Sequence, residues 1–511
     1  MKTGEKVGAC CVALFVMVAL HSSEGAERSK VITVENAKVG TTDWVITKIK
    51  KGTRPPKFEP DNEPYEKGWR HRKELEGYVS HTSIRAGETL KVYVSTDPAI
   101  EFKFDLYRLG YYGGKGARLV KSFGNFQGVA QPIPRDGERN VRECKWTETT
   151  SFEIPKDWVS GVYLGKLAGV DSDAESYVIF IVKDDRPADL IFQCSDMTWL
   201  SYNRWPQWRS LYDNDGEPWG ASNGRLGYDV SFDRPYAMYW NGFPLGFEPL
   251  TLGSGEFLMI EFPLAFWLEK EGYDVTYISN VDTHAEGKGL LRAKGWVSVG
   301  HDEYWTQEMF DNVMAARDGG VSLAFLSGNS VSGRVTLSAS SDGVPNRIMR
   351  RAGGFRDEAK LMGSTSYGVG FADWTCDKPD HWIFQGTGMK KGDRIKDLVG
   401  WEYHGAPLAD YESMEVLSSG KVYGWNGDAR DRTYATTLYT AEKGNFVFNA
   451  GTCWWNMVLS RPPGFMNPPR RYFSEPDARV QQITRNVLNR MIELKTRSNN
   501  TTAAKSREQE L

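Results

Sequence analysis

The spacing of apolar residues changes once along this chain, close to residue 186, and this change constrains the fold more than any other feature. Upstream of it, apolar and polar residues alternate in short segments separated by Gly, Pro and Asp turns; the clearest segments are 89–94, 102–107, 162–164 and 177–182. A period of two is typical of strands with one buried face. We therefore predict an N-terminal β-sandwich over residues 66–185.

Downstream of residue 186, strand-like apolar runs alternate with segments of helical periodicity. The predicted strands and helices are 190–192, 263–271 (helix), 275–278, 296–299, 306–319 (helix) and 321–326. This order is typical of an α/β domain with a mostly parallel sheet, which we place at residues 186–495. The predicted fold is thus mixed β and α/β. Ligands of such sheets bind beyond the carboxyl ends of the strands, here at the segments that start at Cys194, His301 and Ser327.

Both ends of the chain carry features of an exported protein. Lys2 and Lys6 precede an apolar run at 7–20, and small residues follow, so residues 1–25 are predicted to be a signal peptide. The run is too short for a stable membrane span, which needs roughly 20 residues. Residues 26–65 look like an extended leader, and residues 496–511 are predicted to be a disordered tail. We expect the protein to be secreted or held in the secretory-pathway lumen.

Composition excludes some partners and leaves the state of the thiols open. The chain has 63 Lys and Arg against 66 Asp and Glu, so it has no basic field of the kind that attracts nucleic acid. Beyond the predicted signal peptide, the cysteines are Cys144, Cys194, Cys376 and Cys453. One or two disulfides and four buried free thiols are both compatible with the sequence. A homo-oligomer is also left open.

The densest polar segment, residues 300–305, lies between a predicted strand and a predicted helix. His301 is a candidate general base, Glu303 or Asp302 a candidate acid or ligand, and Tyr304 a candidate phenolate ligand. The alternative is that Asp302 or Glu303 only caps the helix. Asn329 follows the next predicted strand, where it either orients a substrate carbonyl or holds its own loop.

Aromatic residues crowd the region that follows the first strand of the predicted α/β domain. They line a small-molecule or sugar site, or they pack on one another inside a large loop. We assign Trp199, Tyr202 and Asn203 to substrate binding. The other aromatic residues of this region are Trp205, Trp208, Tyr212, Trp219, Tyr228, Tyr236, Tyr239 and Trp240.

Four motifs in order make the chain resemble the large (beta) subunit of N,N-dimethylformamidase from about residue 80 to 490. The motifs are residues 107–114, 198–203, 231–236 and 301–305. The resemblance implies an amide hydrolase, acting on C–N bonds other than peptide bonds, with a ferric ion held by two tyrosines and one glutamate. It also implies a C-terminal domain like that of class I glutamine amidotransferases. Phenolate and carboxylate oxygens suit such an ion, which polarises an amide carbonyl.

The resemblance assigns roles to individual residues. Tyr304 matches the tyrosine of the family's His-x-Glu-Tyr-Trp motif, whereas the earlier tyrosine falls at Phe262, whose ring has no oxygen to offer a metal. The glutamate falls at Glu402, with Gln385 as a competing position. We therefore predict Tyr304 and Glu402 as metal ligands.

Under the hydrolase hypothesis, the other polar residues of the site also have roles. His301 and Glu303 would assist proton transfer, Asn329 would orient the substrate, and the partner would be a small-molecule amide or a related ligand. The alternative is a secreted, non-catalytic ligand- or carbohydrate-binding protein that kept the fold and lost the metal site.

Overall fold

The computed structural model describes residues 1, 29–48, 73–206, 209–212, 229–237, 249–424, 426–465 and 475–509, with side chains to residue 494 in the last range. The fold is mixed, with more strand than helix and with several sheets. The predicted signal peptide lies outside the described residues. The helices are α1 (Val31–Asn36), α2 (Asp196–Tyr202), α3 (Phe262–Lys270), α4 (Asn280–Ala285), α5 (Gln307–Asp318), α6 (Ala359–Met362) and α7 (Ala478–Gln509).

The N-terminal region contains two sheets that share one apolar core. The three-stranded sheet has the order β1 (Glu76–Val79), β3 (Thr89–Ser95), β6 (Thr150–Glu153). The five-stranded sheet has the order β2 (Ser83–Arg85), β8 (Glu175–Lys183), β7 (Gly161–Gly169), β4 (Glu101–Leu109), β5 (Ala117–Gln127). Leu90 and Val92 of one sheet lie in the same buried cluster as Phe102 and Phe104 of the other. All four strands predicted in this region are confirmed.

The largest sheet has nine strands. Its parallel part has the order β11 (Val275–Ser279), β9 (Ala188–Cys194), β12 (Ala293–Gly300), β14 (Ser322–Ser327), β23 (Phe446–Asn449). Antiparallel strands continue it as β22 (Ala429–Thr440), β20 (Tyr403–Leu408) and β17 (Ser364–Tyr367), while β21 (Glu415–Tyr423) pairs with β22. The strands and helices predicted after residue 186 are confirmed as elements.

Strand register brings the predicted polar segments together. Gly300, the last residue of β12, pairs with Ser327, the last residue of β14, and Ser298 of β12 pairs with Gln193 of β9. Because these strands are parallel, the segments after Cys194, Gly300 and Ser327 all leave the same edge of the sheet.

Two smaller sheets lie outside the largest one. The first has the order β10 (Val230–Ser231), β16 (Ile348–Gly354), β15 (Gly333–Ser338), β13 (Tyr304–Trp305). The second pairs β18 (Ala372–Thr375) with β19 (Arg394–Val399). The first sheet matters for the site, because β13 begins with Tyr304 and directly continues the segment that holds His301.

The predicted leader is not simply extended. Residues 29–48 contain α1 and pack against the rest of the chain: Ile32 and Trp44 are fully buried, and the Trp44 ring meets that of Phe262 at 5.6 Å edge to face. Burying two large apolar side chains outweighs the charged, proline-rich character of the flanking sequence. These residues belong to the same apolar cluster as Leu190 and Leu264.

The C-terminal helix also departs from its prediction, since α7 reaches Gln509 through residues expected to form a disordered tail. Val480, Ile483 and Val487 are fully buried and anchor the first turns of the helix, from which it propagates toward Gln509. In the described part of the chain, no helix combines the length and apolarity needed to cross a membrane. All four cysteines beyond residue 25 are buried free thiols.

Candidate active site

The turn after β12 sets up the site. Gly300 has φ of 61°, and a Cβ at this position would lie 2.6 Å from Ile260 Cγ2. Only glycine adopts this backbone without strain or collision. The chain therefore turns sharply, and the three residues that follow, His301, Asp302 and Glu303, are all buried.

Asp302 anchors this turn. Its carboxylate accepts hydrogen bonds from Gln193 Nε2 at 2.8 Å, Asn280 Nδ2 at 3.0 Å and Ser298 Oγ at 2.9 Å. Burial raises the pKa of Asp302 to about 6 despite these donors. Asp302 and Glu303 do not cap α5, because the N-cap is Thr306, whose hydroxyl accepts from Met309 N at 3.1 Å.

His301 is surrounded by three carboxylates. Its Nε2 lies 2.6 Å from Glu402 Oε2 and 3.3 Å from Glu303 Oε2, and its Nδ1 lies 3.6 Å from Glu256 Oε2. The imidazole is fully buried, and within the described part of the chain neither ring nitrogen has a well-aligned hydrogen bond. Burial lowers the pKa of His301, but the carboxylates of Glu402, Glu256 and Glu303 raise it well above its ordinary value. The surrounding carboxylates therefore favour the protonated form of the buried imidazole.

Glu402 reaches this cluster because two backbones approach closely. A Cβ on Gly328 would lie 2.3 Å from the carbonyl oxygen of Glu402, so only glycine allows the contact. The next residue, Asn329, has φ of 50°, which asparagine tolerates, and its Nδ2 donates to Glu402 Oε2 at 3.1 Å. Gln385, the competing position, is exposed, and its carbonyl accepts from Asn486 on α7.

Two phenols converge on Glu303. Tyr202, at the end of α2, donates to Glu303 Oε2 at 2.7 Å, and Tyr212 donates to the same oxygen at 3.0 Å. The two hydroxyls are 2.8 Å apart, and their rings stack at 4.6 Å. Burial and the Glu303 carboxylate together raise the pKa of both phenols well above its ordinary value. Two tyrosine oxygens and one glutamate oxygen thus meet at one half-buried point.

Tyr304 contacts this group of three residues through Tyr212. Its hydroxyl donates to Tyr212 Oη at 2.5 Å and accepts from Arg351 Nη2 at 2.6 Å. The sequence predicts Tyr304 and Glu402 as a ligand pair. The hydroxyl of Tyr304 contacts Tyr212 and Arg351, and the phenols that contact Glu303 are Tyr202 and Tyr212.

Three other residues singled out in the sequence make packing contacts. Phe262 is buried against the rings of Trp44, Phe257 and Phe266. Trp199 is buried and donates from Nε1 to Glu261 Oε1 at 2.6 Å. Asn203 holds its own loop, because its Nδ2 donates to the carbonyl of Pro235 and its Oδ1 accepts from two backbone amides. Of the predicted substrate-binding residues, only Tyr202 joins the cluster around His301.

Sequence reasoning missed two contributors to the site. Tyr212 appeared only as one member of the aromatic region, because nothing local separates it from its neighbours. Glu256 carried no signal, since it precedes a π-helical turn (Phe257–Glu261) rather than following a strand. His301, Glu303 and Glu402 each offer one ligand atom, and these atoms lie within 4.8 Å of one another, so the three residues could hold a metal ion.

Comparison with known proteins identifies the family. No protein with a curated description matches this chain. A solved structure described as the mmIFT52 N-terminal domain is similar over 43% of this chain and 86% of its own length, with 11% identity and a TM-score of 0.26, and this likeness carries no argument. The model of the family described as N,N-dimethylformamidase beta subunit-like, C-terminal, matches residues 103–468, which is most of the chain. This chain therefore belongs to the N,N-dimethylformamidase beta subunit-like family.

Proposed function

We propose that this protein is a metal-dependent hydrolase of C–N bonds other than peptide bonds, with an amide or a related small molecule as substrate. The observation that carries the proposal is the meeting of Tyr202, Tyr212 and Glu303 at one half-buried point. Two phenols and one carboxylate are the ligand types that the family resemblance implies for ferric iron.

The residues present fit such an ion. The three oxygens lie 2.7–3.0 Å apart, so Tyr202, Tyr212 and Glu303 could all contact one ion. Phenolate and carboxylate are hard ligands, and a cation beside them would offset the burial that disfavours their charged forms. Glu303 also belongs to the His301–Glu303–Glu402 group, so it connects the proposed metal ligands to the side chains that would move protons.

The side chains around the proposed metal ligands have separate roles in hydrolysis. When bound, the metal supplies a Lewis acid that polarises the amide carbonyl and acidifies water. His301 Nε2 holds a proton for the departing nitrogen, and Glu402 Oε2, 2.6 Å away, takes up a proton from the attacking water. Asn329 Nδ2, which donates to Glu402, orients that carboxylate and the substrate carbonyl. Glu256, on the other ring nitrogen, keeps His301 in place.

Metal analysis of the purified full-length protein tests this proposal. We expect close to one iron per chain, a visible phenolate-to-iron band, and amine release from small N-alkylated formamides. Tyr202→Phe and Tyr212→Phe should each remove the band and most of the iron, whereas Glu402→Gln should retain iron and lose amine release. Tyr367→Phe, a half-buried tyrosine stacked on Tyr403, is the matched control. Protein with neither metal nor amine release would favour the secreted ligand- or carbohydrate-binding alternative.

The finer architecture and the location belong to the same proposal. We propose that the two N-terminal sheets form a β-sandwich and that the region built on β9, β11, β12, β14 and β23 is an α/β domain of the glutamine amidotransferase type. The parallel register of those strands supports the second assignment. Export through a signal peptide of residues 1–25 is proposed from the sequence. N-terminal sequencing of protein from its native source should find a start near Ala26, and an intact Met1 would refute it.

A further inference from the structure

Tyr304 and Arg351 support Tyr212: Tyr304 contacts Tyr212 directly, and Arg351 contacts Tyr304. Tyr304 begins β13 and Arg351 lies on β16, and β15 separates the two strands. Gly333 of β15 pairs with Tyr304, and a Cβ at Gly333 would lie 2.5 Å from the Tyr304 ring. The sheet therefore leaves space for this ring to extend across β15 toward Arg351.

The direction of every hydrogen bond in this layer is set by chemistry. A guanidinium has only donors, so the Tyr304 oxygen must accept from Arg351 Nη2 at 2.6 Å. The single hydrogen of Tyr212 is donated to Glu303, so the hydrogen between the two phenols comes from Tyr304, which donates to Tyr212 Oη at 2.5 Å. Tyr212 consequently receives a hydrogen bond that the Arg351 charge strengthens.

The charge of Arg351 lies next to the tyrosines of the site. Arg351 forms no ion pair with a carboxylate among the residues that the structure describes, and its Nε is buried without a hydrogen-bond partner there. Its guanidinium lies 5.0 Å from the Tyr212 ring and 5.4 Å from the Tyr304 ring. A half-buried cation of this kind is costly unless negative charge lies within reach. The Glu303 carboxylate, which accepts from Tyr212, and a Tyr212 oxygen that binds a metal as phenolate would both supply such charge.

We infer that Arg351 and Tyr304 are positioning residues that hold Tyr212 as a metal-binding phenolate and reduce the electron density on its oxygen. This inference rests on the proposed function. It gives Tyr304 a role that the sequence did not suggest, since Tyr304 acts on the metal through Tyr212 rather than as a ligand itself.

The experiment measures iron affinity and the visible band in the full-length protein loaded with ferric iron. Tyr304→Phe and Arg351→Met should weaken iron binding about 10- to 100-fold, the range typical when a residue that supports a metal ligand is lost. They should also move the band to longer wavelength, because a phenolate without its hydrogen bond gives up electron density more readily. Arg351→Lys should lie between Arg351→Met and wild type in iron affinity and in band position, because lysine keeps the positive charge but lacks the planar guanidinium group.

Arg334→Met is the matched control, because Arg334 is an exposed arginine of β15 whose side chain, among the described residues, donates only to the backbone carbonyl of Ala352. Tyr304→Phe keeps the ring, and circular dichroism verifies that it folds. If Tyr304→Phe and Arg351→Met match the control in band position and in iron affinity, the inference is wrong while the proposed function stands. If the wild-type protein takes up no iron, the proposed metal site fails and the inference fails with it.

Discussion

Arg108 on β4 and Glu269 on α3 form a bidentate ion pair, with Nη1–Oε2 at 3.0 Å and Nη2–Oε1 at 2.9 Å, and both side chains are 0% exposed. The hydroxyl of Tyr277 donates to Glu269 Oε1 at 2.9 Å, and Arg108 Nη1 also donates to Tyr112 Oη at 3.0 Å. The pair therefore connects the N-terminal sheets to the region that carries the candidate active site, and each charge is fully partnered.

Removing one charge from this pair should strongly destabilise the protein. Glu269→Gln leaves the Arg108 guanidinium buried without a counter-charge, and we expect the free energy of unfolding to fall by about 3–5 kcal/mol. Urea unfolding followed by circular dichroism measures this change. The control is Glu271→Gln, which breaks the partly exposed pair with Arg485 and should cost about 1 kcal/mol or less. Equal effects of the two substitutions would contradict the prediction.

The same junction bears on the predicted boundary at residue 186. From the sequence, residues 186–495 should fold alone, yet the largest buried cluster combines Tyr107, Val162 and Ile179 with Leu190 and Leu264. Separating the two parts would expose these apolar side chains and leave Glu269 unpaired. We therefore expect a 186–495 fragment to aggregate or to unfold at lower denaturant concentration than the full chain. A monomeric fragment as stable as the full chain would restore the predicted boundary.

Acid should weaken the attachment of the N-terminal helix through Glu35. Burial raises the pKa of this carboxyl, but hydrogen bonds from Lys38, Tyr112 and Arg118, together with the charge of Arg108, lower it to about 2. A carboxyl whose pKa is lower in the folded than in the unfolded state stabilises the fold at pH values above the unfolded pKa. For Glu35, this stabilisation is lost as pH falls from about 4.5 towards about 2.

Glu35→Gln should therefore lower the free energy of unfolding at pH 7 by on the order of 3 kcal/mol. The difference from wild type should shrink as pH falls towards about 2. Urea titrations at pH 7 and pH 3 test the trend, with the exposed Glu442→Gln as control. A Glu35→Gln deficit that stays constant between the two pH values would show that charge is not its cause.

A tyrosine at position 262 should not create a metal ligand. Phe262 is 1% exposed and lies among the rings of Trp44, Phe257 and Phe266, so the added hydroxyl would be buried among apolar groups. We expect Phe262→Tyr to destabilise the protein by about 1–3 kcal/mol and to leave iron content and colour unchanged. Thermal unfolding and metal analysis measure both effects. A gain of iron would mean that the sequence-based match of this position to the family's tyrosine was right.

Much of the fold could be predicted because its signals are local. The strand 296–299 and the helix beginning after Thr306 follow from short apolar patterns and a side-chain cap. The carboxyl-end rule for parallel strands then brings His301 and Asn329 to one edge of the sheet, and the structure places both in the cluster with Glu402.

The atoms that meet in the site could not be predicted in the same way. Tyr202 and Glu303 are 101 residues apart, and Tyr212 and Glu256 lie in segments without a regular period. Their contacts depend on strand register, on the close approach of Gly328 to Glu402 and on the path of irregular loops. The sequence by itself determined the elements and the edge at which polar side chains gather, because period and capping act within a few residues. Only the tertiary structure decided that Tyr202 and Tyr212 reach Glu303 while Phe262 turns into the core, because such contacts form between chain segments that carry no local record of one another.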